Sequence, residues 1–344
     1  MTLREEILEQ PESVARLIEG GRRPIEAIAA AVRAADPAFL VIAARGSSDH
    51  AAIYAQYVFG IRHRLAVALA APSIVSLYGV RPAVERALVL GISQSGASPD
   101  VVGVVEAARE AGGPTIALTN EPGSALAAAA AHVIDLMAGP ERAVAATKTY
   151  TAELTAMAML SAALRGSEAD WAEIAAVPGQ LAAVLEAEDA ARRLAADRAS
   201  IERGVVLGRG FEYATARELA LKLKELARVL ADPYSAADFE HGPVALVRSG
   251  FPILAVVGSG PTLEPTLAQL ARLRSAFGAD VIVISDSPEA ERVGARIAVP
   301  AGVPEWLRPI VSIVAGQLFA LHLTIARGID PDNPVNIHKV TLTR

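Results

Sequence analysis

Glu218, Lys222 and Glu225 stand at i, i+4 and i+7. That spacing puts two carboxylates and an amine on one face of a helix read over Phe211–Leu230 and stopped by Asp232-Pro233. Sixteen residues after Glu225, His241 precedes Gly242-Pro243, a sequence that turns the chain and lets an imidazole reach a ligand. A solvated helix face with its own ion pairs and a structural histidine would carry the same residue types. Read as chemistry, a carboxylate that moves a proton between neighbouring carbons and an imidazole that serves as acid and base are what isomerising a sugar phosphate requires. Lys339, near the end of the sequence, adds an amine able to form an imine with a carbonyl, although a lysine so placed is as readily a solvated one.

Two hydroxyl-rich loops suit an anion. Ala44-Arg45-Gly46-Ser47-Ser48-Asp49 and Ser93-Gln94-Ser95-Gly96-Ala97-Ser98-Pro99-Asp100 each follow a strand-like run and open a helical one. Glycine lets backbone N–H groups approach an anion, helix N-termini favour negative charge, and serine hydroxyls add donors. Neither loop is a Walker or dinucleotide fingerprint, and the pattern suits a phosphate monoester on a small molecule. Ser47, Ser48 and Ser98 taken singly read as helix caps. Ser93-Gln94-Ser95-Gly96 holds more donors than a cap requires and is read as the phosphate site. The corresponding Gly258-Ser259-Gly260-Pro261 has fewer, so the anion site is expected in the first half alone.

The elements that must position these groups repeat. Strand-like runs at Phe39–Ala43, Ala87–Ile92, Thr115–Thr119 and His132–Asp135 alternate with helical stretches such as Asp49–Phe59 and Pro99–Ala111. Gly204–Leu207, Pro252–Val257, Val281–Ser285 and Ala295–Val299 continue the series. Such alternation predicts an α/β fold with parallel sheets covered by helices. Arg45-Gly46 matches Arg209-Gly210, Ser95-Gly96 matches Ser259-Gly260 and Pro140-Glu141 matches Pro304-Glu305, each 164 residues apart; Arg165-Gly166 matches Arg327-Gly328 at 162. The ordered matches predict two duplicated doubly wound, flavodoxin-like domains. The expected division is a helical lead-in over 1–20, a first domain over 21–166, a helical linker over 167–198 broken at Pro178-Gly179, a second domain over 199–329 and a non-helical tail over 330–344.

The 344 residues are 52% hydrophobic and 20% charged, a globular composition. The formal net charge of −6 argues against a nucleic-acid partner. No stretch is read as the roughly 20 uncharged apolar residues of a membrane span. The charged opening residues are no secretory signal, so a cytoplasmic location without a membrane partner is expected. No cysteine is present, which excludes disulfides, thiolate metal sites and a cysteine nucleophile within these residues. A chain this apolar has more helix surface than a monomer readily hides, and a homodimer is expected.

Together these features resemble the SIS (sugar isomerase) family, specifically the isomerase half of glucosamine-6-phosphate synthase. The resemblance covers nearly the whole chain. It runs from Glu5-Glu6-Ile7-Leu8-Glu9-Gln10-Pro11 through Arg45–Ser48, Ser93–Ser98 and Val144-Ala145-Ala146-Thr147-Lys148-Thr149. It continues through Glu218–Glu225 and Glu240-His241-Gly242-Pro243 to Asn336-Ile337-His338-Lys339. It implies that Ser48, Ser93, Gln94, Ser95 and Ser98 hold the phosphate and that residues near Val144 touch the sugar. It implies Glu225 as the proton-shuttling base, supported by Glu218 and Lys222. His241 would come from the neighbouring subunit to open the ring, and Lys339 would form the sugar imine. Three positions depart from the family pattern: Ala97 replaces an acidic residue, Ser98 a threonine, and Ala146 a common serine, which removes a hydroxyl from the sugar contacts.

The expected ligand is a 6-phosphorylated amino sugar or ketose. The synthase hydrolyses glutamine in an N-terminal domain with a cysteine nucleophile. Here the first sugar unit begins within the first few dozen residues and cysteine is absent, so ammonia chemistry alone is expected. The preferred reaction is deamination of glucosamine-6-phosphate to fructose-6-phosphate. The imine supplies its own electron sink, so neither metal nor cofactor is expected. Alternatives are a fructosamine-6-phosphate deglycase, a glutaminase-less synthase half and a non-catalytic sugar-phosphate sensor. Regulators of the last kind carry a helix-turn-helix segment, for which there is no room before the first unit.

Overall fold

The computed structural model describes residues 2–337 and 339. The chain opens with α1 (Leu3–Leu8) and α2 (Gln10–Ala35). The first sheet series follows as β1 (Phe39–Ala43), α3 (Ser47–His63), β2 (Ala66–Leu69), α4 (Ser73–Ser76), β3 (Ala87–Ile92), α5 (Pro99–Glu110), β4 (Thr115–Thr119), α6 (Ala125–Ala129), β5 (His132–Asp135) and α7 (Lys148–Arg165). Then come α8 (Glu168–Ala175), α9 (Val177–Leu185) and α10 (Glu188–Ala196). The second series is β6 (Arg203–Gly208), α11 (Glu212–Glu225), β7 (Leu230–Ser235), α12 (Ala236–Phe239), β8 (Pro252–Val256), α13 (Leu263–Phe277), β9 (Asp280–Ser285), β10 (Ala295–Ala298) and α14 (Arg308–Ala326).

The five strands of the first sheet are ordered β2-β1-β3-β4-β5 and are all parallel. The second sheet runs β7-β6-β8-β9-β10, the same order element for element, again all parallel. This is the doubly wound α/β architecture, present twice. β3 and β4 are buried at every position, as strands covered on both faces must be. Under the first sheet, Val89, Val101, Val105 and Leu126 pack together; under the second, Ile253, Leu270, Leu273 and Val283 do.

The chain compacts into two units. One holds the first sheet, residues 12–141 and 148–176, together with Lys339. The other holds the second sheet, residues 2–11, 142–147 and 177–337.

Four readings of the sequence change. The helix expected over Phe211–Leu230 stops at Glu225, Arg228 turns the chain at φ 54°, and Leu230–Ser235 forms β7. Pro233 is tolerated there because β7 is an edge strand, paired only with β6. β2, Ala66–Leu69, went unread because Ala-Val-Ala-Leu is short, half exposed and reads as readily as helix. Residues 309–326 contain no Asp, Glu, Lys or Arg, so among the described residues one helix, α14, is long and apolar enough to cross a membrane; it is mostly buried as a core helix of the second unit. In the expected linker, the break falls at Ala176, and Pro178 sits in the first turn of α9, where its missing N–H costs nothing.

Candidate active site

In the first unit the two serine loops end neighbouring strands. β1 and β3 are hydrogen-bonded partners, while β1 leads to β2 on its other side, so the loops flank the topological switch point of the sheet at its carboxyl edge. Open α/β sheets bind ligands at that place. Gly46, at φ 57°, makes the turn into α3. Ser47 and Ser48 are the first helical residues rather than the cap. Ser48 is buried, and its hydroxyl donates to Glu153 Oε1 at 2.7 Å. Arg45 bonds the buried carboxylate of Asp100 at 2.7 Å through Nε and 2.6 Å through Nη2, tying the first loop to the start of α5.

The second loop is held from inside. Ser93 Oγ accepts the Gly96 N–H at 3.1 Å, and Ser95 Oγ accepts that of Ala97 at 3.4 Å. Gln94 and Gly96 carbonyls accept from Asn120 and Leu126 N–H groups at 3.1 and 3.0 Å. Gly96 lies at φ 59°, and a Cβ there would sit 2.0 Å from Ser124 Oγ, so only glycine fits. Ser98 occupies the N-cap of α5, yet its hydroxyl makes no cap bond. Ser47 and Ser48 are thus inside α3 rather than at its N-cap, and Ser98 holds the N-cap place of α5 without a cap bond. Lys339 belongs to this unit, with Nζ 2.6 Å from Glu141 Oε2. The Glu141 carboxylate is buried and also accepts the Thr149 N–H at 3.1 Å and hydroxyl at 2.8 Å.

In the second unit α11 carries the charged face that the spacing predicted. Lys222 Nζ lies 3.3 Å from Glu218 Oε1 and 2.5 Å from Glu225 Oε2. Glu218 and Lys222 are buried, and Glu225 is half-buried at the helix end. Burial alone would lower the Lys222 pKa; the charges of Glu218 and Glu225 outweigh it and raise the pKa above the ordinary lysine value. His241 is exposed in the turn after α12, with Gly242 at φ 126° behind it. Its neighbour Glu240 is pinned by Arg272 Nη2 at 2.5 and 2.6 Å and by Gln269 at 2.6 Å. Val144 and Ala146 also fall in this unit, on a segment that buries Ala143, Ala145 and Thr147 and turns the residues between them outward. Among the described residues no group of three His, Cys, Asp or Glu is placed to hold a metal ion.

The family model for the SIS domain matches residues 36–163 and 199–327. The chain belongs to the SIS domain family. The SIS chain is 36% identical over 302 residues to a glutamine–fructose-6-phosphate aminotransferase (isomerizing) of Methanothermobacter thermautotrophicus, an alignment covering 86% of this chain and 50% of that protein. It spans about half the length of the relatives of that name that it matches. A candidate phosphosugar isomerase from Silicibacter pomeroyi DSS-3 superposes with a TM-score of 0.88 at 37% identity, covering 96% of this chain and 100% of that one. The C-terminal domain of glucosamine-fructose-6-phosphate aminotransferase from Francisella tularensis gives 0.87 at 26% identity, covering 96% and 98%.

The two copies in the SIS chain differ at the switch point. In the second unit Asp286 Oδ1 accepts the Ser259 N–H at 2.8 Å, so a carboxylate of the chain itself occupies that loop. Arg308 lies across it, with Nε 3.3 Å from Asp286 Oδ2 and Nη1 1.9 Å from where a Gly258 Cβ would stand. Glu212 stands 164 residues after Ser48, its pKa raised chiefly by burial. Poverty in hydroxyls hinted at this difference; the charges that fill the site come from β9 and α14, which a loop motif does not reveal. Sequence reasoning gave no role to the bracing residues Arg45 and Asp100, which stand within the two quoted loops, nor to Glu141 and Glu153.

Proposed function

We propose that this chain binds a 6-phosphorylated amino sugar and converts it to the corresponding ketose phosphate and ammonia, most simply glucosamine-6-phosphate to fructose-6-phosphate. The observation that carries the reading is the Lys222–Glu225 pair: a buried ammonium of raised pKa lies 2.5 Å from a half-buried carboxylate at the end of α11, a place that suits a proton-shuttling base. The switch-point loops of the first unit, with Ser48, Ser93, Gln94, Ser95 and Ser98, suit the phosphate. His241 protonates the ring oxygen and opens the pyranose. Glu225 takes the C2 proton and returns it to C1, turning the amino aldehyde into a C2 ketimine. Water adds to C2 and ammonia leaves; Lys339 can precede water by transimination, once its ammonium has left Glu141 and lost a proton. Val144 and Ala146 line the sugar. A cytoplasmic homodimer with His241 supplied across subunits completes the reading.

The names of the relatives favour a second reading, in which the same residues run the reaction toward the amino sugar as the isomerising half of an aminotransferase. The 344 residues offer no cysteine for glutamine hydrolysis, so ammonia would then reach the site from elsewhere. A coupled assay separates the two. Release of both ammonia and fructose-6-phosphate from glucosamine-6-phosphate is the expected result. Cleavage of a 6-phosphorylated fructosamine alone would make the chain a deglycase. Failure to release ammonia from glucosamine-6-phosphate would overturn the deaminase reading.

A further inference from the structure

Glu6, on the opening helix, accepts hydrogen bonds from the start of the segment that carries Val144 and Ala146. We propose that Glu6 is a positioning residue for the sugar contacts of that segment. The proposal rests on the reading above, in which the segment lines the sugar.

A six-residue helix has little stability of its own, and α1 is fixed at several points of the second unit. Thr2 Oγ1 accepts the Glu5 N–H at 3.3 Å while Glu5 Oε2 accepts the Thr2 N–H at 2.7 Å, a reciprocal cap. Leu3 and Ile7 are fully buried. Arg4 forks onto Glu188 with two bonds of 2.8 Å, and the Leu3 N–H donates to Asp332 at 2.6 Å. This anchoring delivers Glu6, fully buried, to the backbone of the segment: Oε1 accepts the Arg142 N–H at 2.5 Å and the Ala143 N–H at 3.2 Å, and Oε2 accepts the Ala143 N–H at 3.2 Å.

A carboxylate bound to two successive N–H groups fixes both the place and the direction of the chain. The far end is held as well. Gln317 donates to the Thr147 carbonyl at 3.5 Å and accepts from Gln10 at 2.8 Å, and Gln10 in turn donates to the Ile7 carbonyl at 2.9 Å. Between these ends burial alternates, with Ala143, Ala145 and Thr147 buried and Val144 and Ala146 only partly so, and the two anchored ends hold that arrangement. With no hydroxyl at Ala146, contacts from this segment fall to backbone groups and Val144, which makes the backbone position matter more. Glu6 therefore acts through the segment and touches no reacting atom.

The test compares wild type with Glu6→Gln, nearly isosteric but uncharged, Glu6→Asp, charged but shorter, and Glu6→Ala. Amide hydrogen exchange over residues 142–147 reads the anchoring. Calorimetry with fructose-6-phosphate and with inorganic phosphate separates sugar contacts from the anion site. In Glu6→Gln we expect faster exchange in that segment alone and fructose-6-phosphate affinity lowered about tenfold, the scale of one lost charge-assisted bond. Inorganic phosphate affinity should be unchanged, and Glu6→Asp should recover part of the loss. Unchanged exchange overturns the proposal. So does equal weakening of both ligands, which marks a purely structural role. Wild-type protein that binds inorganic phosphate but not fructose-6-phosphate sinks the functional reading itself and the sugar role of Glu6 with it; that outcome is recognisable because it needs no substitution.

Discussion

At the scale of single residues, α11 divides its charges between two tasks. Lys222, with its raised pKa, keeps its proton throughout the neutral range and is unsuited to carry protons back and forth. Its contribution to stability is complete below the ordinary lysine pKa and would be lost only as pH rises through the raised value. Glu225, the half-exposed partner, would carry the transfer on the proposed reading. Glu225→Gln should retain ligand binding and lose about 10²–10⁴-fold in turnover, the usual worth of a general base. Exchange of the substrate C2 proton with deuterated solvent should fall with it; exchange that persists would move the base role to His241. A second residue sets a pH dependence unconnected with catalysis. Burial, then the nearby charges of Arg165 and Arg62, hold the His63 pKa down at about 4. Below the ordinary histidine value the unfolded chain takes up a proton that the folded one refuses. Stability should thus fall as pH drops from about 6.5 toward 4, the span between the ordinary and the folded value. His63→Gln, which keeps a partner for the Ser161 hydroxyl 2.8 Å away, should flatten that slope in urea titrations. An unchanged slope would assign the titration to another group.

At the scale of elements, the anion site proposed for the first unit is a matter of turn geometry as much as of hydroxyls. Gly96→Ala must both strain φ 59° and move Ser124, so it should displace the Ser93–Ser98 loop and abolish phosphate binding measurable by calorimetry. Ser95→Ala, which keeps the loop, should weaken a phosphorylated ligand by only about 1–3 kcal/mol. If the glycine variant bound phosphate as well as the serine variant, the loop would not be the cradle. This order of effects also explains what was legible beforehand. Strand–helix alternation, the glycine-serine loops and the i, i+4, i+7 charges are local in sequence, and each maps onto one element. β2 and β7 were not legible: Ala-Val-Ala-Leu at 66–69 reads as readily as helix, and Leu230–Ser235 carries Asp232-Pro233, which reads as a break. The bracing pairs were not legible either: Ser48 and Glu153 are 105 residues apart, Arg45 and Asp100 55, Glu6 and Arg142 136, and only the tertiary fold brings each pair together.

At the scale of the whole molecule, one sheet is present in two copies whose switch-point loops differ, and the proposed function divides the work between them. The second copy filled its own switch point with Asp286 and Arg308 and placed its charged chemistry on α11 and the turn at His241. His241 stands exposed, as a residue that serves a neighbouring subunit would. Complementation tests whether it does. Glu225→Gln and His241→Asn proteins, each inactive alone, are mixed, unfolded and refolded together. If a site takes Glu225 from one subunit and His241 from the other, a mixed dimer has one site with both defects and one with neither. Random pairing makes half the dimers mixed, so about a quarter of wild-type activity should return in a two-fold symmetric dimer. If both residues act within one subunit, every site in the mixture keeps a defect and no activity returns. Recovery that tracks the fraction of mixed dimers as the mixing ratio is varied would separate shared sites from repair by any trace of wild-type protein.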